Sequence, residues 1–401
     1  MMLDRVERHI FVGRNNLEDL CYKSALLYNA ANYEMRQSFI KTGKIPTAYD
    51  LINKFTKEDQ FDYRSLMAQT SQQIIMLLNK NWKSFFKAIK EYKKHPEKFT
   101  GKPKLPKYKK DKKQNVVVFV NQQACIKDGY LYFSKTIGLD CLKTKVAQEN
   151  FQQVRIIPQA TCHVIEIVYK VDVVQEDVLQ DNILSIDLGV NNFATCVSNI
   201  GEQPFIVNGK PIKSMNQFFN KKKAEFQSYI SNSPNVTSNR IKRLTHKRNC
   251  KVNDYCHKTS RYIINYCVEH RIGRIIIGKN DGWKQNIDHG KVNNQNFVQI
   301  PFDKLIKQIV YKAESVGIKV DVTEESYTSK IDHMVLEEMC YQKKYKGKRV
   351  KRGLFQSSVG RYINADVNGA IGSGRKVIGN DFIKNLLNRG VVLTPVKVVI
   401  L

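Results

Sequence analysis

The alternation of apolar and polar positions divides the chain into a helical opening, a β-rich middle and an α/β remainder. A short strand is expected around His9 to Val12. After it, Asn16 is placed to cap a helix carrying Leu17, Leu20, Cys21, Tyr28, Ala31, Met35 and Phe39 on one face. Residues 71–90 repeat the helical period: Ile74, Ile75, Leu78, Trp82, Phe85, Phe86 and Ile89 form one stripe, with Lys80, Lys83, Lys87 and Lys90 largely outside it. From Val116 to Val174 the runs NVVVFVN, GYLYFSK, QVRIIPQ and HVIEIVYKVDVV are short, β-forming and separated by turn residues, which predicts a small barrel-like domain. The acidic stretch VVQEDVLQDN marks its boundary.

Beyond that boundary, ILSIDLGVNNFATCVS (183–198) reads as a hairpin. Ile183, Leu184 and Ile186 are β-formers, Gly189 permits the reversal, and Phe193 to Val197 return, leaving Asp187 near the tip. A helix near Asp254 to His270 leads into the buried strand RIIIG, which ends at Gly278. Residues 297–316 predict another helix with Val298, Phe302, Leu305, Ile306, Ile309 and Ala313 facing inward, closed by Gly317. IKVDV supplies the next strand, followed at once by Glu324 and Glu325, and INADVNGAIGSGR places Asp366 where a helix begins or passes close to the sheet.

Charge narrows the function. The 401 residues allow two or three domains, and 66 Lys and Arg against 37 Asp and Glu leave a net +29, which self-repels unless a polyanion neutralises it. Nucleic acid is the expected partner. No membrane partner is expected, because aromatics are spread through the charge runs and no basic amphipathic anchor stands out. The opening MMLDRVERHIFVG is charged throughout and the apolar runs are short, so a soluble, intracellular protein is expected. The nine cysteines form no C-x-x-C pair, which fits reduced thiols, and the group Cys250, Cys256, His257, Cys267 and His270 reads as helix packing.

The basic residues concentrate in two places. Lys80 to Lys113 holds fourteen lysines against Glu91, Glu97 and Asp111, with Phe99 and Tyr108 among them. That mix suits phosphate contacts with base stacking, through Lys83, Lys87, Lys98, Lys102, Lys104, Lys107 and Tyr108; a solvated linker is the alternative. Residues 342–361, QKKYKGKRVKRGLFQSSVGR, contain no acid, and Arg349 and Arg352 are their expected phosphate ligands.

Three carboxylate sites sit at ends of elements: Asp187, the Glu324–Glu325 pair and Asp366. If folding unites them, two divalent ions could activate a water and stabilise the leaving oxygen of a phosphodiester. Several motifs in order, ILSIDLGVNNFA, HKTSRYIINYCVEHRIGRIIIGKNDGWKQ, ESYTSK, KRVKRGLF and INADVNGA, resemble the RuvC-like nuclease region of the TnpB family, encoded by bacterial insertion sequences and related to type V CRISPR effectors. NKNWKSFFKAIKEYKKHPEKFTGKPKLPKYKK resembles that family's helical recognition segment.

The resemblance implies a mixed α/β chain: a β-barrel wedge domain (1–15 and 114–180) with an inserted helical recognition domain (16–113), an RNase H-like (RuvC) nuclease domain (181–330 and 360–378), a basic insert in the zinc-ribbon position (331–359) and a C-terminal tail (379–401). It implies an RNA-guided DNA endonuclease using two Mg²⁺ ions, with Mn²⁺ as a substitute and no zinc, whose partners are a guide RNA and double-stranded DNA, with a monomer on the RNA favoured. Asp187 matches the first RuvC acid and Asp366 the third. Many relatives place the second acid after the strand that here ends at Gly278, with Asp281 nearby but past a turn. A subgroup instead takes it from the ESYTSK motif, which points to Glu325, with Glu324 as the alternate. Paired C-x-x-C motifs common in relatives are missing, so the insert is expected to be a metal-free loop. Gly278 also keeps open a nuclease-inactive RNA-guided repressor. An actin-like ATPase, which shares an Asp-Leu-Gly hairpin, lacks here the second glycine-rich phosphate loop it needs.

Overall fold

The computed structural model describes residues 2–13, 15–110, 114–232, 236–280 and 297–400, so Asp111 to Lys113 and Asp281 lie outside the described residues. The chain forms two units, 1–171 and 172–401. The break falls nine residues before the boundary expected at 180.

The first unit opens with strand β1 (Met2–Phe11), much longer than the short strand expected, and continues into helices α1 (Asn15–Thr42), α2 (Ala48–Lys57), α3 (Phe61–Arg64) and α4 (Ala68–Lys94). Asn16 lies inside α1, where its side-chain amide donates to the Gly138 carbonyl instead of capping. The strands that follow are β2 (Val117–Val120), β3 (Ala124–Lys127), β4 (Tyr130–Phe133), β5 (Leu142–Lys143), β6 (Phe151–Pro158) and β7 (His163–Asp172). They pair as a four-stranded sheet, β1-β7-β6-β2, and a separate three-stranded sheet, β3-β4-β5. The two sheets share one apolar core with Leu17 and Cys21 of α1, but among the described residues their hydrogen bonding does not close into a barrel. The later turns of α1 build a second core with α2 and α4, in which the Trp82 indole is buried and donates to Asn32.

The basic segment after α4 is tied down. Asn29 exchanges two hydrogen bonds with the backbone of Lys109, while Asn32 and Arg36 donate to the Pro106 carbonyl. The Arg36 guanidinium lies 4.7 Å from the centre of the Tyr108 ring. Lys102, Lys104 and Lys107 face solvent, as do Lys83 and Lys87 on α4, whereas Lys98 pairs with Glu91 at 2.9 Å. Held by α1 at Pro106 and Lys109, this stretch forms a strap whose lysines stay exposed.

The second unit is built on a six-stranded sheet. Its strands are β8 (Leu179–Asp187), β9 (Asn192–Ser198), β10 (Phe205–Asn208), β11 (Ile272–Gly278), β12 (Lys319–Thr323) and, after the small strands β13 (Lys348–Lys351), β14 (Leu354–Gln356) and β15 (Tyr362–Asn364), β16 (Val396–Val398). The spatial order is β12-β11-β8-β9-β10-β16, with β11 parallel to both β8 and β12. Helices α5 (Lys210–Ser228), α6 (Asn239–Glu269), α7 (Phe302–Glu314), α8 (Ala365–Ile378) and α9 (Lys384–Arg389) complete it. Alternation along the strands sorts the faces: Leu184, Ile186, Ile275 and Ile277 pack with α6 and α7, while Ile183 and Ile276 pack with α8. No described helix is long and apolar enough to cross a membrane.

Four expectations change here. Helix α6 begins at Asn239 and absorbs the basic NRIKRLTHKRNCK run, instead of starting near Asp254. Helix α7 starts only after Pro301, so Val298 is half exposed and outside it. The insert is not a loop: β13, β14 and β15 form an antiparallel sheet that feeds directly into α8, and Ile331 to His333, at its expected edge, are buried. The last segment is no tail, because Phe382, Ile383 and Leu386 are fully buried in the α8 core and β16 pairs parallel with β10.

Phe382 tests that last point. Phe382→Ala should lower the unfolding free energy of the second unit by about 3–5 kcal/mol, the range for emptying a buried aromatic site. A loss below about 1 kcal/mol in a denaturant titration would return residues 379–401 to the status of a tail.

Candidate functional site

Period-two alternation on β8 turns Ser185 and Asp187 toward α8, and the Ser185 hydroxyl donates to the Ala370 carbonyl at 2.6 Å. Asp187 therefore faces the helix at Gly369, where an added Cβ would lie 3.4 Å from the Asp187 carboxyl carbon. On the neighbouring strand β11, Ile277 pairs with Ile186, so Gly278 is one step further and presents the same face as Asp187. Position 278 carries no side chain because another residue fills its space. A Cβ there would come within 2.7 Å of the Glu325 Cγ and 2.8 Å of the Ser373 hydroxyl.

Glu325 reaches that space from the turn after β12. The Lys279 amide donates to the Thr323 carbonyl, and the Glu325 amide donates to the Asn280 side-chain oxygen at 2.9 Å. Glu324 points away: its side chain is 68% exposed and lies 3.5 Å from Lys376. Glu325, and not Glu324, is the glutamate brought to Asp187.

Asp366 arrives in the first turn of α8, which Asn364 caps by accepting from the Asp366 and Val367 amides. One Asp366 oxygen accepts from the Asn192 amide at 2.7 Å and the other is 3.8 Å from Arg349. A cleft of about 460 Å³ opens beside it, lined by Asn192, Lys210, Lys213, Arg349, Arg352 and Lys397 among others. Arg349 and Arg352 thus border an acid, and three lysines that the sequence did not single out join them. The signal for those lysines was absent, since only the packing of β10, α5 and β16 assembles them.

The electrostatics are those of crowded carboxyls. Asp187 keeps some accessible surface, yet the protein packed around it, reinforced by the charges of Glu325 and Asp366, pushes its carboxyl well above the usual range. Burial also raises Glu325, against the opposing effect of the hydrogen bond it shares with Asp187. The Glu325 Oε1 atom is buried with no hydrogen-bond partner, as are the Ser373 and Thr195 hydroxyls nearby in the sheet and helix. Among the described residues no three His, Cys, Asp or Glu side chains converge as a ready-made cage for one ion. The acids nevertheless suit Mg²⁺, a hard cation that takes one or two carboxylates and completes its shell with water and substrate phosphate oxygens.

Comparison with known proteins places this arrangement in context. A family model described as a probable transposase of the OrfB_IS605 type matches residues 166–284, and one for the Cas12f1-like TNB domain matches residues 302–372. A TnpB-like protein of Acidianus two-tailed virus is 25% identical over 399 residues, covering 90% of this chain and 83% of that protein. The CRISPR-associated endodeoxyribonuclease Cas12f2 of a Micrarchaeota archaeon is 26% identical over 211 residues, covering 49% of this chain and 37% of its own. In fold, the chain is similar to the protein in a Cas12f1–sgRNA–target DNA complex, with a TM-score of 0.55, 14% identity, and coverage of 88% and 81% of the two chains.

Upward shifts at Asp187 and Glu325 fix the sign of a pH effect. Their contribution to metal-free stability is intact below the ordinary values of 3.8 and 4.5 and is lost as pH rises through the raised ones. The melting temperature of chelator-treated protein should therefore fall as the pH rises above the ordinary carboxylate values. Asp187→Asn should flatten that fall; an unchanged slope in the variant would contradict the crowded-carboxyl account.

Proposed function

Because this chain belongs to the TnpB family, we propose that it is an RNA-guided, Mg²⁺-dependent endonuclease that cuts double-stranded DNA. The observation that carries the proposal is the meeting of Asp187 with Glu325 over Gly278, with Asp366 on the adjoining helix. A chain that has lost the second acid of its strand retains one at the same place, supplied from a different element. The repressor alternative rested on Gly278, and the Glu325 carboxyl over that position supports the nuclease reading.

In this reading Asp187, Glu325 and Asp366 hold the ions. Two Mg²⁺ ions, when bound, supply an activated water and stabilise the leaving oxygen of the phosphodiester. The chain's own residues do the rest. Arg349, Arg352, Lys210, Lys213 and Lys397 meet the phosphates in the cleft, where their largely exposed cationic ends can take phosphate oxygens. Asn192 pins one oxygen of Asp366, which fixes the direction of the other. Arg349 neutralises Asp366 until substrate arrives and then exchanges it for a phosphate. The strap formed by Lys98, Lys102, Lys104, Lys107 and Tyr108, with Lys83 and Lys87 on α4, holds the guide RNA or its duplex with the target, and base pairing reads the sequence. Mn²⁺ substitutes for Mg²⁺, the insert needs no zinc, and one copy acts on each RNA.

With guide RNA, Mg²⁺ and a matching plasmid, Asp187→Ala, Glu325→Gln and Asp366→Asn should each reduce cutting by more than the roughly 10–100-fold typical of losing an outer-shell partner. RNA affinity should stay within about twofold, and Glu324→Gln should cut normally. Wild-type protein that binds the plasmid stably without nicking it would contradict the nuclease reading.

The strap makes a separate prediction. Replacing Lys102, Lys104 and Lys107 with Gln should flatten the log–log salt dependence of nucleic-acid binding by roughly 0.9 for each duplex phosphate contact removed. An unaltered slope would exclude the strap from the interface.

A further inference from the structure

Glu325 sits on a turn, not on a strand, yet its carboxyl must be held as firmly as one carried by the sheet. What fixes that turn is a buried polar chain that begins on α8. Arg375 donates through Nη1 to His333 Nδ1 at 2.7 Å, and His333 Nε2 lies 2.8 Å from the Thr328 carbonyl. Arginine has only protons to give and a carbonyl only lone pairs, so Nδ1 must accept and Nε2 must donate. His333 is therefore neutral, in one tautomer. Burial, assisted by the Arg375 charge, pushes its imidazole down to about 4, which keeps it neutral at working pH. Thr328 in turn closes on Glu325: its hydroxyl donates to the Glu325 carbonyl at 2.9 Å and its amide to the same oxygen at 3.4 Å.

The chain is anchored at its far end too. Arg375 donates to Asn380 and to the Glu337 carbonyl, and Glu337 accepts from the amides of Asp332 and Lys346. His333 and Asp332 are fully buried, and Arg375 nearly so. Gly372 permits the contact, since a Cβ there would stand 2.7 Å from Thr328 Cβ and 2.8 Å from His333 Nε2. The helix that carries Asp366 is thus wired, two turns later, to the turn that carries Glu325.

We propose that His333, held in its Nε2–H tautomer by Arg375, is a positioning residue that sets the Glu325 carboxyl through Thr328. The inference rests on Glu325 being a metal-binding acid. Loss of His333 would let the turn relax, so the effect should fall on metal binding and on the cutting step and leave RNA and DNA affinity alone. His333→Gln offers a donor and an acceptor on one side chain and should rescue, whereas His333→Leu fills the volume and offers neither.

Two readouts test this on full-length protein with its guide RNA: single-turnover cutting of a matched plasmid, and the Mn²⁺ concentration that gives half of the Mn²⁺-induced rise in melting temperature. For His333→Leu we expect cutting to fall by about 10–100-fold and the Mn²⁺ midpoint to rise by a similar factor, as for other outer-shell partners, with RNA affinity within about twofold. His333→Gln should recover most of both. If His333→Leu fails to fold, Thr328→Val carries the test and should shift the Mn²⁺ midpoint in the same direction while Thr328→Ser does not. A normal Mn²⁺ midpoint in the folded variant, or equal loss in His333→Leu and His333→Gln, overturns the proposal. Glu325→Gln is the control for the premise: if it binds Mn²⁺ and cuts as the wild type does, the reading of Glu325 fails, and the positioning role fails with it.

Discussion

The site depends on how closely helix α8 can lie against the sheet and the turn after β12. Gly369 meets Asp187, and Gly372 meets Thr328 and His333 at distances that admit no side chain at 372. Ser373, the next residue, shares the space over Gly278 with Glu325. Three glycines in a 14-residue helix, at 369, 372 and 374, oppose its formation by roughly 1 kcal/mol each relative to alanine. That penalty is offset by the burial of Ile371 against Phe382 and Leu386 in the core beside the helix, and it lets the helix approach Asp187 at Gly369, Thr328 and His333 at Gly372, and Phe382 at Gly374. Bulk at these positions would move α8 outward and Asp366 with it.

Proximity brings an electrostatic conflict. Asp187 and Glu325 cannot both ionise at low cost in a packed interior, so both carboxyls are pushed up, and one Glu325 oxygen is buried without a hydrogen-bond partner. Such a cluster is costly when charged, and in the proposed reading a divalent ion would offset that cost. The surrounding cations act at longer range. Arg349 tempers Asp366, and the net +29 of the chain favours a polyanion over any neutral ligand. In the proposed reading the carboxylates and the basic side chains lining the cleft beside Asp366 divide the work, the acids for metal and the cations for phosphate.

Much of this was readable from residues. The hairpin in ILSIDLGVNNFATCVS put Asp187 at the end of a strand, INADVNGAIGSGR marked the start of α8, and the stripe from Ile74 to Trp82 located α4. Alternation could not choose between Glu324 and Glu325, because both lie past the end of β12 where the period no longer holds; the Asn280 contact and the glycine on the next strand decide it. The insert was misread as a loop since its strands are three or four residues long and its lysines mask them. The C-terminal segment was misread for a different reason. Its apolar residues fall in short runs broken by Lys384, Gly390 and Pro395, and only their common neighbour, α8, gives them a core. The buried His333–Arg375 pair left no trace in sequence, being 42 residues apart with no shared period.

The most direct test of the central claim is the anomalous scattering of Mn²⁺ in crystals of the protein with guide RNA and a target DNA. The account predicts ions ligated by Asp187, one of them shared with Glu325 from the turn after β12 and another with Asp366 at the start of α8. Anomalous density that leaves Glu325 without a metal, or that lies away from Asp187 altogether, would contradict it.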